Sequence, residues 1–210
     1  RREIHAVDVG VTGRAAAIVE SIDGIGLTVV VLVLSKQPDL NSTWNGILFE
    51  ECLDDAATRV QFEQLPFDHP LYIMYSSGTT GAPKCIVHGS GGSLLQHLKE
   101  HQLLLDLKRE DVFFYFTTCG WMMWNWLISG LASGATLVLY DGSPFARNGL
   151  CLLDAIDEEK ISVFGTSAKF ISALHKAGHK PRESHNLKSL NTILQRDRRC
   201  RPSVLSMSPV

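Results

Sequence analysis

The chain has 210 residues, of which 45% are hydrophobic and 20% are charged, a composition typical of a water-soluble globular protein with one substantial core. Its 20 lysines and arginines against 22 aspartates and glutamates give a formal net charge of -2. This balance argues against nucleic acid or an anionic membrane as a partner held by bulk charge.

The cysteines and the most apolar run argue against two further classes of protein. Five cysteines are scattered without a Cys-x-x-Cys pair, which favours reduced thiols in the cytosol over a disulfide framework or a zinc site. The run at residues 25–34 is about half as long as a bilayer-spanning helix, so it is predicted to be a buried strand. Because the chain begins at Arg1 rather than at a methionine, we expect it to be a piece of a longer product.

The first 64 residues predict a short helix at 15–22 and a strand at 27–34 that is buried on both faces. A further short strand is predicted at 49–53. Prolines, asparagines and a glycine between residues 35 and 64 indicate that this stretch is otherwise a surface connection. It carries no catalytic signal.

Strands and helices alternate from residue 65 to residue 194. Strands are predicted at 71–75, 112–116, 136–140, 161–164 and 190–194, and helices at 94–107, 120–131, 150–159 and 167–177. In the first of these helices Leu94, Leu98 and Leu105 are expected to face a core, while Lys99 and Glu100 face water. The alternation predicts an α/β fold with a mostly parallel sheet flanked by helices. Residues 195–210 are basic and rich in proline and serine, and they are predicted to be a disordered tail.

The sequence SSGTTGAPK, from Ser76 to Lys84, joins two short apolar runs of β character and supplies four hydroxyl groups, two glycines and one lysine. Glycines let backbone amides approach a ligand closely, and successive amides in such a bend form a concavity that binds anions. The hydroxyls and the ammonium group add donors without adding negative charge. A polyphosphate is the ligand that this chemistry suits. The loop is not a Walker A sequence, because no Gly-Lys-Ser/Thr follows the first glycine at the required distance.

His97 and His101, with Glu100 between them, fit the letters H-x-x-E-H of an inverted zincin site. A metal site there would need a third ligand and a glutamate that points into a cleft. The preferred interpretation is an exposed helix face that carries polar residues, because a five-letter pattern recurs by chance.

Two further stretches follow predicted strand ends, where ligands bind in open α/β sheets. The first is an apolar cluster of Trp121, Met122, Met123, Trp124 and Trp126. Its first three side chains could form an apolar wall for a small acyl group, whereas the last two are predicted to pack in the core. The second stretch contains Gly165 and Thr166, which could touch a nucleotide or a thiol cofactor.

The ten residues YSSGTTGAPK at 75–84 resemble the phosphate loop of the adenylate-forming enzymes, the superfamily of acyl-CoA synthetases and luciferases. Over residues 65–194, LPFDHPLYIMYSSGTTGAPKCIVHG, GWMMWNW and LYDGSP are similar to the acetoacetyl-CoA synthetase branch of that superfamily. The resemblance implies part of the large N-terminal domain of such an enzyme. It also implies an AMP-forming ligation in which acetoacetate and ATP, with Mg2+, form an acyl-adenylate, and coenzyme A then displaces AMP.

The resemblance also implies roles for particular residues. The β- and γ-phosphates of ATP would be held by Ser76, Ser77, Gly78, Thr79, Thr80, Gly81 and Lys84. The hydroxyl of Thr80 would lie near the magnesium ion. Trp121, Met122 and Met123 match the segment that shapes the acyl pocket, and Gly165 and Thr166 match the same pocket by position alone. The partners implied are the small molecules acetoacetate, ATP and coenzyme A, and no protein partner is implied.

Several features of the superfamily do not follow residue 194, among them the adenine-binding stretch, the ribose-binding aspartate and the catalytic lysine of the mobile C-terminal domain. The expected organisation is a loosely matching portion with one buried strand at 1–64, a partial AMP-binding domain at 65–194, and the tail at 195–210. We therefore expect a truncated ligase with no catalytic residue of its own, inactive alone. The alternative is a non-catalytic module that binds a nucleotide or a partner.

Overall fold

The computed structural model of the chain describes residues 4–8, 12–32, 40, 45–76 and 81–196. The chain divides into two compact units, Arg1–Glu63 and Gln64–Val210. No helix among these described residues combines the length and the apolar character needed to cross a membrane. The predicted tail lies outside the described residues, except for Gln195 and Arg196, which belong to the last strand.

The first unit contains a three-stranded parallel sheet, and its central strand is the predicted apolar one. The strands are β1 (Ile4–Asp8), β2 (Leu27–Val31) and β3 (Gly46–Leu48), in the order β1-β2-β3, and α1 (Thr12–Ser21) connects the first two. Val29 and Val30 are buried in β2, which confirms the predicted buried strand over residues 27–31. The sequence did not indicate β1.

The strand predicted at 49–53 is wrong. Phe49–Cys52 form a 3-10 helix, and the pairing with β2 is made by the three residues that precede it. The Glu51 carboxylate accepts a hydrogen bond from the Leu48 backbone N–H at 3.0 Å, which satisfies a donor at the start of the turn. A side chain that bonds the local backbone in this way competes with extended pairing.

The second unit is built on a four-stranded parallel sheet in the order β7-β6-β8-β9. Its strands are β6 (Val112–Tyr115), β7 (Thr136–Val138), β8 (Val163–Ser167) and β9 (Thr192–Arg196). The connecting helices are α3 (Met122–Ile128), which continues as a 3-10 helix at Ser129–Ser133, α4 (Leu150–Glu158), α5 (Ala168–Lys176) and α6 (Pro181–Ser184). The predicted α/β fold with a parallel sheet is confirmed.

Side chains from alternate positions of β6 enter two separate cores, because successive residues of a strand point to opposite faces of a sheet. Phe114 packs with residues of α4 and α5, including Leu152 and Phe170. Phe113 and Tyr115 pack with α3, where Trp126 and Leu127 are buried. The sheet is therefore covered on both faces.

An antiparallel hairpin precedes this sheet in the chain. Its strands are β4 (Pro70–Tyr75) and β5 (Cys85–Gly89), and they are followed by α2 (Ser90–Leu98) and a π-helical segment at Lys99–Leu104. The hairpin confirms the two short β runs predicted on either side of the phosphate loop. It also brings the ends of that loop together, since Tyr75 is paired with Cys85.

The predicted orientation of the helix at 94–107 is only partly correct: Leu105 packs against a core cluster and Lys99 is exposed, as predicted, but the most buried face carries the histidines. Leu94 is 44% exposed, whereas His97 and His101 are 8% and 0% exposed. The exposed-face interpretation of the two histidines is therefore wrong as well. The side of the helix that carries the histidines packs on the aromatic rings of Phe113 and Trp126, so tertiary packing decides which face is buried.

Candidate active site

The predicted phosphate loop, residues 76–84, joins the two strands of the β4–β5 hairpin. Its two ends are joined by hydrogen bonds from the Ser76 N–H to the Lys84 carbonyl at 3.0 Å and from the Lys84 N–H to Ser76 Oγ at 2.9 Å. Gly81 has a φ of 150°, a backbone conformation that L side chains rarely adopt. The Lys84 side chain is exposed. The predicted ligands Ser77, Gly78, Thr79 and Thr80 lie outside the described residues.

The strand order of the four-stranded sheet creates a switch point between β6 and β8. The chain leaves β6 for β7 on one side and returns to β8 on the other, so the carboxyl ends of β6 and β8 lie side by side. Tyr115 is opposite Gly165, and the Phe116 N–H donates to the Gly165 carbonyl at 2.8 Å. A crevice at such a switch point is the usual ligand site of open α/β sheets.

Gly165 and Thr166 are buried at this edge. A Cβ atom at Gly165 would clash with the Tyr115 ring, so packing alone requires glycine there. Thr166 is 2% exposed, and its Oγ1 is buried without a hydrogen-bond partner among the described residues. The two residues thus support the packing of β6 against β8, and a role for them in ligand binding stays a prediction.

A cavity of about 560 Å³ lies between β5, α2 and α3. Val87, His88 and Gly89 of β5 form one wall, and the turns of α2 that carry Gly92 and His97 form another. Met122, Met123 and Trp126 of α3 line the third wall, so two of the predicted acyl-pocket residues face this space. Trp121 is 60% exposed and does not line the cavity.

The sequence interpretation missed a polar network in the wall of this cavity. His97 Nδ1 lies 2.8 Å from Ser129 Oγ, and Trp126 Nε1 donates to Glu100 Oε2 at 2.8 Å. Gln96 Nε2 donates to the other carboxylate oxygen of Glu100 at 2.6 Å. Each of these residues except Ser129 also lines the cavity. The H-x-x-E-H pattern was the available signal, but its spacing could not show that Ser129 and Trp126 would pack against it.

His101 lies behind this wall, within 4.5 Å of the Trp126 ring and 5.6 Å of the Phe113 ring, measured between ring centroids. Burial, and to a smaller extent the neighbouring His97, lowers its pKa to about 4, and Glu100 acts in the opposite direction. Both ring nitrogens lack a hydrogen-bond partner in the described part of the chain. Burial also lowers the pKa of His97, so both imidazoles are neutral at pH 7.

The described residues include no group of three or more His, Cys, Asp or Glu side chains arranged to hold a metal ion. The hydroxyl and amide donors of the phosphate loop suit the oxygen atoms of phosphates. A divalent cation would then take its oxygen ligands mainly from those phosphates and from water, as Mg2+ does in many nucleotide sites.

Comparison with known proteins shows the family. A model of the AMP-binding enzyme family matches residues 10–207. The chain belongs to the AMP-binding enzyme family. Within it, the chain is 47% identical to the acetoacetyl-CoA synthetase of Gallus gallus over 184 residues, which cover 85% of this chain and 28% of that protein. It is 46% identical to the malonamoyl-CoA synthetase of Penicillium aethiopicum over 157 residues, which cover 70% of this chain and 21% of that protein.

A solved member of the AMP-binding enzyme family has the same fold over nearly the whole chain. The acetoacetyl-CoA synthetase from Streptomyces lividans matches with a TM-score of 0.86 and 34% identity, over 96% of this chain and 31% of that one. The resemblance to the acetoacetyl-CoA synthetases is therefore confirmed. The chain spans about a quarter of the length of the two curated relatives described above.

Proposed function

We propose that this chain forms the phosphate loop and part of the acyl pocket of an AMP-forming acid–thiol ligase, an enzyme that joins a short carboxylic acid to coenzyme A. The observation that carries the proposal is the position of the loop. Lys84 is exposed to solvent at the end of the loop. Three residues further along the chain, β5 begins to form the first wall of the cavity that is also lined by Met122 and Met123. About 10 Å of extended strand separates the two, since a strand rises about 3.3 Å per residue.

The reaction explains why such a loop is needed. A carboxylate that attacks the α-phosphate of ATP brings one anion towards another, so the charge that develops on the departing pyrophosphate must be neutralised. We assign this task to Ser76, Ser77, Gly78, Thr79, Thr80, Gly81 and Lys84. Mg2+ would supply further positive charge when bound, with the Thr80 hydroxyl as its candidate protein ligand. In the second step coenzyme A accepts the acyl group and displaces AMP. Gly165 and Thr166 are candidates for contacting coenzyme A as it approaches.

The acid is proposed to be acetoacetate. The acyl groups in the names of the two relatives, acetoacetyl and malonamoyl, are both short and both have a carbonyl at C3. Met122 and Met123 offer apolar surface to such a group, and Trp121 is proposed to cover it from the rim. The scattered cysteines, of which Cys52, Cys85 and Cys119 are exposed free thiols, support a place in the reducing cytosol.

The proposal is tested by calorimetric titration of the purified 210-residue chain with MgATP. We expect measurable binding that is lost in the Lys84→Ala variant, because the ammonium group is a principal charge in the loop. Lys176→Ala, which removes an exposed lysine from α5, is the matched control and should bind as well as the unaltered chain.

A second measurement tests whether the chain forms an acyl-adenylate by itself. Pyrophosphate exchange into ATP that depends on acetoacetate reports adenylate formation directly. Exchange would show that these 210 residues carry out the first half-reaction by themselves. ATP binding without exchange is the expected result, because the chain spans only about a quarter of the length of the curated relatives described above, and the non-catalytic module would give the same result. Failure to bind ATP at all would remove the basis of the proposal.

A further inference from the structure

We propose that Ser184, His185 and Asp154 form a second reactive site, in which the Ser184 hydroxyl is a nucleophile for acyl groups joined to a phosphate. The three side chains belong to α4 and to the end of α6. The residues after α6 lead into the amino end of β9, so the site lies away from the carboxyl ends of β6 and β8, where the switch-point crevice is found. The inference goes beyond the proposed function and does not depend on it.

The Asp154 carboxylate determines which nitrogen of His185 carries a proton. His185 Nε2 lies 3.0 Å from Asp154 Oδ1, and the two side chains are 11% and 26% exposed. An ionised carboxylate only accepts hydrogen bonds, so Nε2 must supply the proton at this contact. In the neutral ring Nδ1 is therefore an acceptor.

The Ser184 hydroxyl faces that acceptor. Ser184 Oγ lies 2.7 Å from His185 Nδ1. The carbonyl oxygens of Lys180 and Pro181 lie 3.3 and 3.4 Å from the same hydroxyl, beyond the usual range of O–H···O bonds. The hydroxyl proton is thus given to Nδ1. Ser184 is exposed, so a reagent can reach it from solvent.

Arg147 holds the carboxylate in place. Its Nη1 donates to Asp154 Oδ2 at 2.6 Å, while the other oxygen accepts from His185. A hydroxyl that donates to an imidazole, which in turn donates to a carboxylate, is the arrangement that activates serine nucleophiles on unrelated folds. The imidazole takes the hydroxyl proton as the oxygen attacks, and the carboxylate stabilises the imidazolium that forms.

The cavity beside His185 indicates the class of acyl donor. It has a volume of about 400 Å³ and contains two cationic and two apolar side chains, its lining being Arg182, His185, Asn186, Leu187, Lys188 and Leu190. The cations favour an anionic group, and the leucines offer apolar surface to an acyl chain. A mixed anhydride of a carboxylic acid and phosphate has both parts.

The reaction transfers the acyl group and releases phosphate. Ser184 Oγ forms a bond to the acyl carbon, and the bond between that carbon and the bridging oxygen breaks, with its electron pair leaving on the phosphate. The hydroxyl proton passes to His185 Nδ1 and then to the released phosphate. The product is a serine ester, and no oxidant, reductant or further reactant is needed.

The test is incubation of the purified 210-residue chain with acetyl phosphate at pH 8, with acetylation of each serine followed by mass spectrometry of its peptides. Ser21 is the internal control, because it too is exposed at the end of a helix and bonds to the carbonyl three residues earlier. Ser184 should react about 100-fold faster than Ser21, since a positioned general base contributes at least that factor. A rate less than about tenfold above that of Ser21 would overturn the proposal.

His185→Ala tests the general base. The rate at Ser184 should fall to that at Ser21, and added imidazole should restore part of it, which a purely structural role of the ring would not allow. His175→Ala, at an exposed position of α5, should keep the full rate. An unchanged rate in His185→Ala contradicts the proposal. The ratio in the unaltered chain is decisive even if this variant misfolds.

Asp154→Asn tests the positioning of the ring. Because Arg147 is a donor, the amide oxygen should turn towards it and the amide N–H towards His185 Nε2. The proton of the neutral ring then moves to Nδ1, which can no longer accept from Ser184. NMR of the 15N-histidine-labelled chain should show this shift of the proton from Nε2 to Nδ1, together with a rate at least about tenfold lower. A proton retained on Nε2 with the full rate would contradict the assignment.

Lys188→Ala tests the preference for an anionic donor. It should lower the rate at Ser184 with acetyl phosphate about threefold, as expected for one exposed charge, and leave the rate with the uncharged ester p-nitrophenyl acetate unchanged. An equal change with the two reagents would overturn the assignment of a phosphate-bearing donor.

Discussion

The predicted phosphate loop and the polar wall of the cavity differ in what their hydrogen bonds connect. The ends of the loop are joined by a backbone bond from the Ser76 N–H to the Lys84 carbonyl and by a bond from the Lys84 N–H to the Ser76 hydroxyl, and the Lys84 side chain is left exposed. In the wall, Glu100, Trp126 and His97 use their side-chain atoms to hold elements distant in sequence together, and His101 is enclosed behind them. Changes in the loop should therefore affect ligand binding, and changes in the wall should affect stability first.

The largest expected effect is on stability, and it should differ between substitutions of two tryptophans in the same segment. Trp126 is 7% exposed and packs on His101, Phe113 and Tyr115, so Trp126→Ala should lower the free energy of unfolding by about 3–5 kcal/mol. Trp121→Ala, at a position that is 60% exposed, should change it little. Urea denaturation followed by circular dichroism measures both. Equal losses in the two variants would contradict the assignment of Trp126 to the core.

The second expected effect is a loss of folding stability at acid pH, caused by the histidines in and behind the polar wall. The pKa of His101 is lowered in the folded state to about 4 from an ordinary value of 6.5, so the unfolded chain binds more protons between these values. Stability should therefore fall as the pH drops from about 6.5 to about 4, by up to about 3 kcal/mol from this residue. The lowered pKa of His97 adds a loss in the same direction.

Urea denaturation at a series of pH values tests this response. His101→Leu removes a buried ring with two unpaired nitrogens and should flatten the pH dependence at little cost in stability at pH 7. His175→Leu, the exposed control, should keep the pH dependence of the unaltered chain. An equally steep loss in His101→Leu would show that other groups are responsible.

A smaller effect is expected from the charge of Glu100. Glu100→Gln keeps one oxygen to accept the bond from Trp126 Nε1 but removes the charge that strengthens it, so the free energy of unfolding should fall by about 1 kcal/mol. Glu158→Gln, on the exposed end of α4, should have no measurable effect. Thermal denaturation at pH 7 compares the two variants. A stabilised Glu100→Gln chain would mean that desolvation of the carboxylate outweighs its hydrogen bonds.

The smallest effect on stability is expected in the loop itself. Lys84→Ala should unfold at the same urea concentration as the unaltered chain, because the side chain is exposed, and it should nevertheless lose ATP binding. The pair of measurements makes the comparison between loop and wall quantitative. A marked loss of stability in Lys84→Ala would show that the lysine supports the fold and would weaken its assignment to phosphate binding.

Helix and strand positions were largely predictable because they depend on local periodicity. The alternation from residue 65 to residue 194 predicted β6, β7, β8 and the helices between them, and the glycine- and hydroxyl-rich sequence after β4 predicted the loop. The strand at 49–53 failed because a single side chain, Glu51, bonds the backbone of Leu48 and turns the chain. Such a local competition leaves no periodic signal.

The sequence by itself determined most of the order of elements, the residue types of the predicted phosphate loop and the resemblance to an enzyme family, since each depends on residues close together in the chain. Only the tertiary structure decided which face of α2 is buried. Leucines and histidines occur at helical spacing on different faces, and the aromatic rings of β6 and α3 that cover the histidine face come from later in the chain. Burial depends on that distant partner surface, so the polar wall could not be recognised before the elements were packed.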